Sequence, residues 1–193
     1  MTQKKLISSV LCLNFSNNFG NNGSFDFEDL VNWAKYTGAI SNDSSVRLIK
    51  YSSSYPFKTA PIVVEARVLA KTIARIFLSV AKRQPPLKDD LNFLNGSFEK
   101  TFPNLKLVLS PSNSFHWGWS EPTPIAPDQV LWRVILSAGE TLIKETPTRI
   151  KMCAAETCIK LFLDTSKGGQ RKWCSMETCG NRLKTRKYRE KIK

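Results

Sequence analysis

The sequence predicts a mainly α protein of the α+β class, with a helical domain over residues 1–146 and a small cysteine-bearing module over residues 149–193. Three observations carry this. In the middle of the chain Ile62, Ala66, Leu69, Ile73, Ile76 and Val80 recur at steps of four and three, the stripe of an amphipathic helix. Two apolar runs, Leu105–Leu109 and Phe115–Trp119, flank a Ser-Pro-Ser-Asn turn and read as one strand pair. Four of the five cysteines fall in the last quarter of the chain.

Element by element, Lys4 and Lys5 precede an apolar run over residues 6–15, which superficially resembles a secretory signal. No small-x-small cleavage site follows, Leu11 before Cys12 is too large for a lipoprotein box, and the run is too short to span a membrane. It is expected to be a buried strand or short helix of a cytoplasmic protein. Residues 17–24 read as an Asn/Gly-rich turn. Asp26 can cap a helix with Asp29 at its third position, Leu30, Trp33 and Ala34 on its buried face, and Gly38 ending it in a left-handed conformation. Residues 42–55 are polar and Ser-rich, and are expected to be loop with an edge element at residues 46–49. Pro61 is expected to open the long central helix and Pro85-Pro86 to end it. A helix follows with Leu87, Leu91, Leu94 and Phe98 on one face and Asp89 and Asp90 in its first turn. After the strand pair and a proline-rich crossing, a last helix aligns Leu131, Ile135, Ala138 and Leu142, with Ser137, Ala138 and Gly139 allowing close approach to another helix. Residues 146–148 mark the boundary.

The charge is uneven. The chain of 193 residues carries a net +13, and residues 149–193 hold 13 Lys or Arg against four acids, a net +9. A basic last quarter points to an acidic partner, of which nucleic acid is the commonest; a solubilising tail is the bland alternative. In the same stretch the cysteines are spaced Cys153-x4-Cys158-x15-Cys174-x4-Cys179, two local pairs around an insert. A secreted disulfide scaffold spreads its cysteines through the chain, whereas here only Cys12 lies outside the cluster. This favours a reducing compartment and a structural zinc ion, with two disulfides or an iron–sulfur cluster as alternatives. Four cysteines close the site and leave no position for an activated water, so a catalytic zinc is disfavoured. The insert is expected to form two strands, residues 159–163 and residues 171–174, around a turn at residues 167–170. A polar piece this small draws much of its stability from the metal, so losing the ion is expected to unfold the module and leave the helical domain intact.

The residues around the cysteines carry a resemblance. Phe162, Asp164 and Ser166 in the insert, then Arg171-Lys172-Trp173-Cys174-Ser175-Met176 and Cys179-Gly180-Asn181-Arg182, with Lys184 and Arg186 beyond, resemble the CGNR zinc finger. Upstream, residues 11–17 and 132–142 resemble the ABATE domain that usually precedes this finger. The resemblance implies a zinc-ribbon or treble-clef-like module with Zn2+ on Cys153, Cys158, Cys174 and Cys179. It further implies membership among candidate stress-induced transcription regulators, which are also described as RNA-binding. The first domain departs from the pattern, with Asn14 where the family has Asp, Asn18 where it has Thr, and Ala70 in place of an arginine. If those positions line an effector pocket in relatives, this chain binds something else or nothing.

The functional expectation is a nucleic-acid-binding protein, DNA ahead of RNA, and a transcription regulator. Arg182, Arg186 and Arg189 fall at helical steps on one face, with Lys184 and Lys187 beside them; Arg171, Lys172 and Asn181 complete the expected contact set. A protein-interaction module with a zinc-stapled basic tail is the alternative of another class. Trp173 is expected to cover the metal site, His116 to be an ordinary strand histidine, and Cys12 to be a small core residue. With one histidine and no Gly-rich phosphate loop there is no catalytic constellation, and the protein is not expected to be an enzyme. A lone small finger gains specificity by dimerising, which makes a homodimer through the first domain an open expectation. No membrane partner is expected.

Overall fold

The computed structural model describes residues 10–21, 23–182, 184 and 185. Among the described residues the main elements follow one another as α1 (Leu11–Phe19), α2 (Phe27–Tyr36), α3 (Asn42–Ser54), α4 (Pro56–Ala81) and α5 (Lys88–Thr101), then β1 (Leu105–Leu109) and β2 (Phe115–Trp119), α6 (Gln129–Lys144), and finally β3 (Ile150–Met152) and β4 (Leu161–Leu163). No helix among the described residues is long and apolar enough to cross a membrane.

Helix α4 is the hub, touching α1, α2, α3, α5 and β3. Its stripe of Ala66, Leu69, Ala70, Ile73, Ile76 and Phe77 is buried to within one per cent of zero exposure. It begins at Pro56, five residues before the expected start, and Pro61 lies inside it. Proline at the first position loses no helical hydrogen bond, and Pro61 stands exposed in the second turn, where the one bond it removes faces water. Arg75 of α4 forks onto Asp90 in the first turn of α5, with Nη2 at 2.6 Å from Oδ1, so a nearly buried carboxylate is paired as well as set on a helix N-terminus. Close packing of α5 on α6 depends on Gly139: a Cβ there would lie 2.7 Å from Cζ of Phe98.

Two expectations need correction. Residues 42–54 are not a loop but helix α3. The Ser41 hydroxyl caps it by accepting from the Ser44 amide, and Ser45, Ser52, Ser53 and Ser54 donate back to carbonyls three or four residues earlier. Burial of Leu48 then outweighs the weak helix propensity of so many serines. The turn expected over residues 17–24 starts only after Phe19, because Phe19 is buried against Phe15, Phe25 and Trp33 and holds α1 on for another turn. The capping box of Asp26 and Asp29 and the positive φ of Gly38 (71°) stand as expected.

The boundary at residues 146–148 falls in a 3-10 turn, Pro147–Arg149. Immediately after it, Ile150, Leu161 and Leu163 join the buried core of the helices. Asn17 of α1 fastens this hairpin from the other side. Its Nδ2 donates to the Leu161 carbonyl at 2.8 Å and its Oδ1 accepts from the Leu161 amide at 3.0 Å, as a third strand would. An Asn17→Ala chain, unfolded in urea with metal present, is expected to lose about 1–3 kcal/mol, since both backbone groups of Leu161 lose their partner. A change within error would mean that water replaces the side chain at no cost.

Candidate metal centre

Strands β3 and β4 run antiparallel, with Ile150 opposite Leu163 and Met152 opposite Leu161. The turn joining them holds the first cysteine pair. The Cys153 amide donates to the Lys160 carbonyl and the Cys158 amide to the Ala155 carbonyl, both at 2.9 Å, which folds the intervening residues into a knuckle. The second pair lies on a loop and a π-helical turn, Met176–Gly180, capped by the Ser175 hydroxyl accepting from the Thr178 amide at 3.3 Å. Cys179 thus sits at the start of the terminal helical segment, as expected.

The four sulfurs converge within 4.8 Å of one another. Cys174 Sγ is 3.7 Å from both Cys158 Sγ and Cys179 Sγ. Sulfurs about 2.3 Å from a tetrahedral zinc lie about 3.8 Å apart, close to the two shortest separations here, so the cage suits that ion. None of the cysteines is disulfide-bonded. Burial works against ionising Cys153, yet hydrogen bonds from the Cys174 and Ala155 amides bring its thiol below the ordinary range. Burial first, and then the three neighbouring sulfurs, push the Cys174 thiol well up. Four thiolates packed this closely repel one another, and a divalent cation is what lets them coexist.

A second layer holds the cage. Phe162, fully buried, and half-buried Trp173 pack on the cysteines. Gly180 packs closely here: a Cβ there would lie 2.8 Å from Met176 Sδ, which would have to shift, and 3.5 Å from the Trp173 ring. Asp164, also fully buried, organises the insert by accepting from Lys151 Nζ at 2.7 Å, the Arg171 amide at 2.8 Å and both the amide and hydroxyl of Ser166. Burial opposes its ionisation, but these donors, Lys151 foremost, hold its carboxyl far below the usual range. Lys151 also reaches the Gly169 and Arg171 carbonyls, and Arg149 donates to the carbonyls of Asp164 and Ser166. Sequence reasoning gave Asp164, Lys151 and Arg149 no structural role. An acid following an apolar run in so basic a segment was the available signal.

The remaining predicted residues divide. Arg171 is turned inward: Nε donates to the Trp173 carbonyl at 2.9 Å, Nη2 to the Cys174 carbonyl, and the guanidinium lies 4.7 Å over the Phe162 ring. It clamps the second cysteine loop to the hairpin. Lys172, Asn181, Arg182 and Lys184 are exposed, and the last three lie on the helical segment. Arg186, Lys187 and Arg189 fall outside the described residues. The second strand expected over residues 171–174 is absent. Asn17 already occupies the free edge of β4, and the strand that pairs with β4 is β3, upstream of the first cysteine. His116 is an exposed strand residue, and Cys12 is fully buried with burial pushing its thiol up to about 11. Asn14 Oδ1 accepts from Trp33 Nε1 at 3.0 Å and from Asn18 Nδ2 at 3.1 Å, so the two departing asparagines partner each other and an indole.

A closed, buried four-cysteine cage on a knuckle and a helical turn defines a structural zinc module. Residues 149–191 match the family model of the CGNR zinc finger. No curated protein matches the chain.

Three outcomes check this site. Purified protein is expected to hold about one zinc per chain by elemental analysis, and Cys158→Ser or Cys179→Ser to release it. Chelation is also expected to lower the melting midpoint of the helical part, because Ile150, Leu161 and Leu163 belong to its core. A helical transition unmoved by metal loss would show that the hairpin stays docked without the ion. Asp164→Asn is expected to destabilise the zinc-loaded chain at neutral pH. The carboxyl is depressed on folding, so its contribution is present above the ordinary value of 3.8 and fades as pH falls below it. The gap between wild type and variant should therefore begin to narrow as pH falls below that value, as read by denaturant unfolding at stepped pH over the range in which zinc stays bound.

Proposed function

We propose that the chain is a nucleic-acid-binding protein, a transcription regulator of the cytoplasm, in which the zinc cage fixes the start of a basic helix as the reader and the helical part is an ABATE-like domain. The observation that carries this is where the free charge lies. Lys172, Arg182 and Lys184 are exposed beside the cage, while Arg149, Lys151 and Arg171 are spent on internal carbonyls and Asp164. The module thus separates structural from available charge.

The basic surface continues onto the helices. A groove of about 370 Å³ between the end of α4 and the finger offers the cations Lys82 and Lys172, with Leu78, Ala81, Met152 and the inward-engaged Lys151 and Arg171 also in its lining. A phosphate backbone crossing it gains counterion release from both parts of the chain. The exposed cations supply steep, sequence-independent attraction, and an arginine at the helix start can fork onto a guanine edge. Zinc serves as a structural ion only. Four thiolates reduced together fit a reducing compartment.

Fluorescence anisotropy with labelled duplex DNA and with RNA, at several salt concentrations, tests the proposal. Binding that weakens steeply with salt is expected, with DNA the tighter ligand. Arg182→Glu with Lys184→Glu is expected to weaken it at least ~10-fold while zinc content is unchanged, each lost phosphate contact flattening the salt slope by about one. A parent protein that binds neither polymer, or a double variant that binds as well as the parent, would shift the reading to a protein-interaction module. RNA bound more tightly than DNA would make the chain an RNA-binding finger.

A further inference from the structure

The β1–β2 hairpin carries an apolar face that the fold anchors at one end and leaves in water at the other. Cross-strand partners share a face, so the pairs Leu105–Trp119, Leu107–Trp117 and Leu109–Phe115 line one side. At the base Trp119 packs on Trp132 of α6, with ring centroids 5.7 Å apart. Beyond that support the same face runs on uncovered: Leu107 is 63 % exposed, Leu109 53 %, Phe115 67 % and Trp117 50 %. The opposite side, with Lys106, Val108, His116 and Gly118, is an ordinary mixed face.

At ~150–250 Å² for a large apolar side chain, these four residues leave roughly 500 Å² of contiguous apolar surface in water, the size of a functional patch on a monomer. A hairpin of two strands is also marginal by itself, so whatever covers this face stabilises the hairpin as well.

We propose that the face is the contact between two copies of this chain, packed face to face about a two-fold axis. Area is the first argument. Two such patches bury about 1,000 Å² together, where specific interfaces begin. Charge is the second. Copies carrying +13 each repel, so a contact between them is confined to a surface without cations, and none of the six residues of this face is charged. The same absence argues against nucleic acid as the occupant, which seeks cations beside any aromatic platform. Symmetry is the third. An isologous contact needs only that the patch complement itself, and here leucines on β1 lie beside aromatic rings on β2, so the leucines of one copy can lie on the rings of the other. This inference stands apart from the nucleic-acid reading and does not depend on it.

Sedimentation of the full-length, zinc-loaded chain over about 1–100 μM, a span of about 2.7 kcal/mol in association free energy, is the test. The mass is expected to pass from one chain to two as concentration rises. Leu107→Lys with Phe115→Lys should stay a single chain throughout with the same zinc content, while Lys106→Glu on the opposite face should associate as the parent does. Hydrogen exchange on the unaltered chain gives a reading that needs no variant: amides of residues 105–109 and 115–119 should gain protection on concentration. A parent that remains a single chain overturns the proposal, and so does a double variant that still dimerises or hairpin protection indifferent to concentration. Were the double variant to misfold, the exchange result would decide alone.

Discussion

Three residues, Leu161, Phe162 and Leu163, hold the molecule together because they serve two cores at once. A strand points successive side chains to opposite faces. In β4 this sends Leu161 and Leu163 into the core of the helices and Phe162 under the cysteine cage. The helices and the metal therefore share a wall one residue thick. Displacing β4 would uncover both cores together, each of its large side chains contributing on the order of 1.5–3 kcal/mol of burial. The bidentate grip of Asn17 on Leu161 keeps the strand at the depth that both faces need.

That arrangement explains why so much of the finger's charge is internal. A cage with this little apolar material cannot hold its loops by packing alone, and buried Asp164 takes over the work of a core. Its donors come from both ends of the insert, from Lys151 before it and from Ser166 and Arg171 after it, so one carboxylate closes the loop in several places. Arg171 extends the clamp to the second cysteine pair. Among the described residues Lys172, Arg182 and Lys184 remain exposed and take no part in this clamp.

The same economy operates at the opposite end of the helical part. There α6 offers Trp132 as a support for the base of the β1–β2 hairpin and nothing for its tip. One protein thus presents a cationic surface next to the metal and a wholly uncharged apolar one on a different element.

Much of this was legible in the sequence where the signal is local. Helix α4, the Asp26 capping box, the left-handed Gly38, the β1–β2 pairing and the cysteine set all rest on contacts or spacings within a few residues of one another. The serines of α3 misled because their propensity is weak and only burial of Leu48 against other elements makes the helix worthwhile. Cys153, Cys158, Cys174 and Cys179 were identifiable because a tetrahedron of thiolates demands local pairs. The partner of β4 was not, since the choice between an upstream and a downstream strand turned on Asn17, whose side chain comes from 144 residues away. Likewise the sequence by itself counts thirteen cations in the last quarter without sorting them. Only the tertiary structure decided that Arg171 and Lys151 face inward while Lys172 and Arg182 face water, because buried Asp164 recruits the Lys151 ammonium and the Trp173 and Cys174 carbonyls draw in the Arg171 guanidinium.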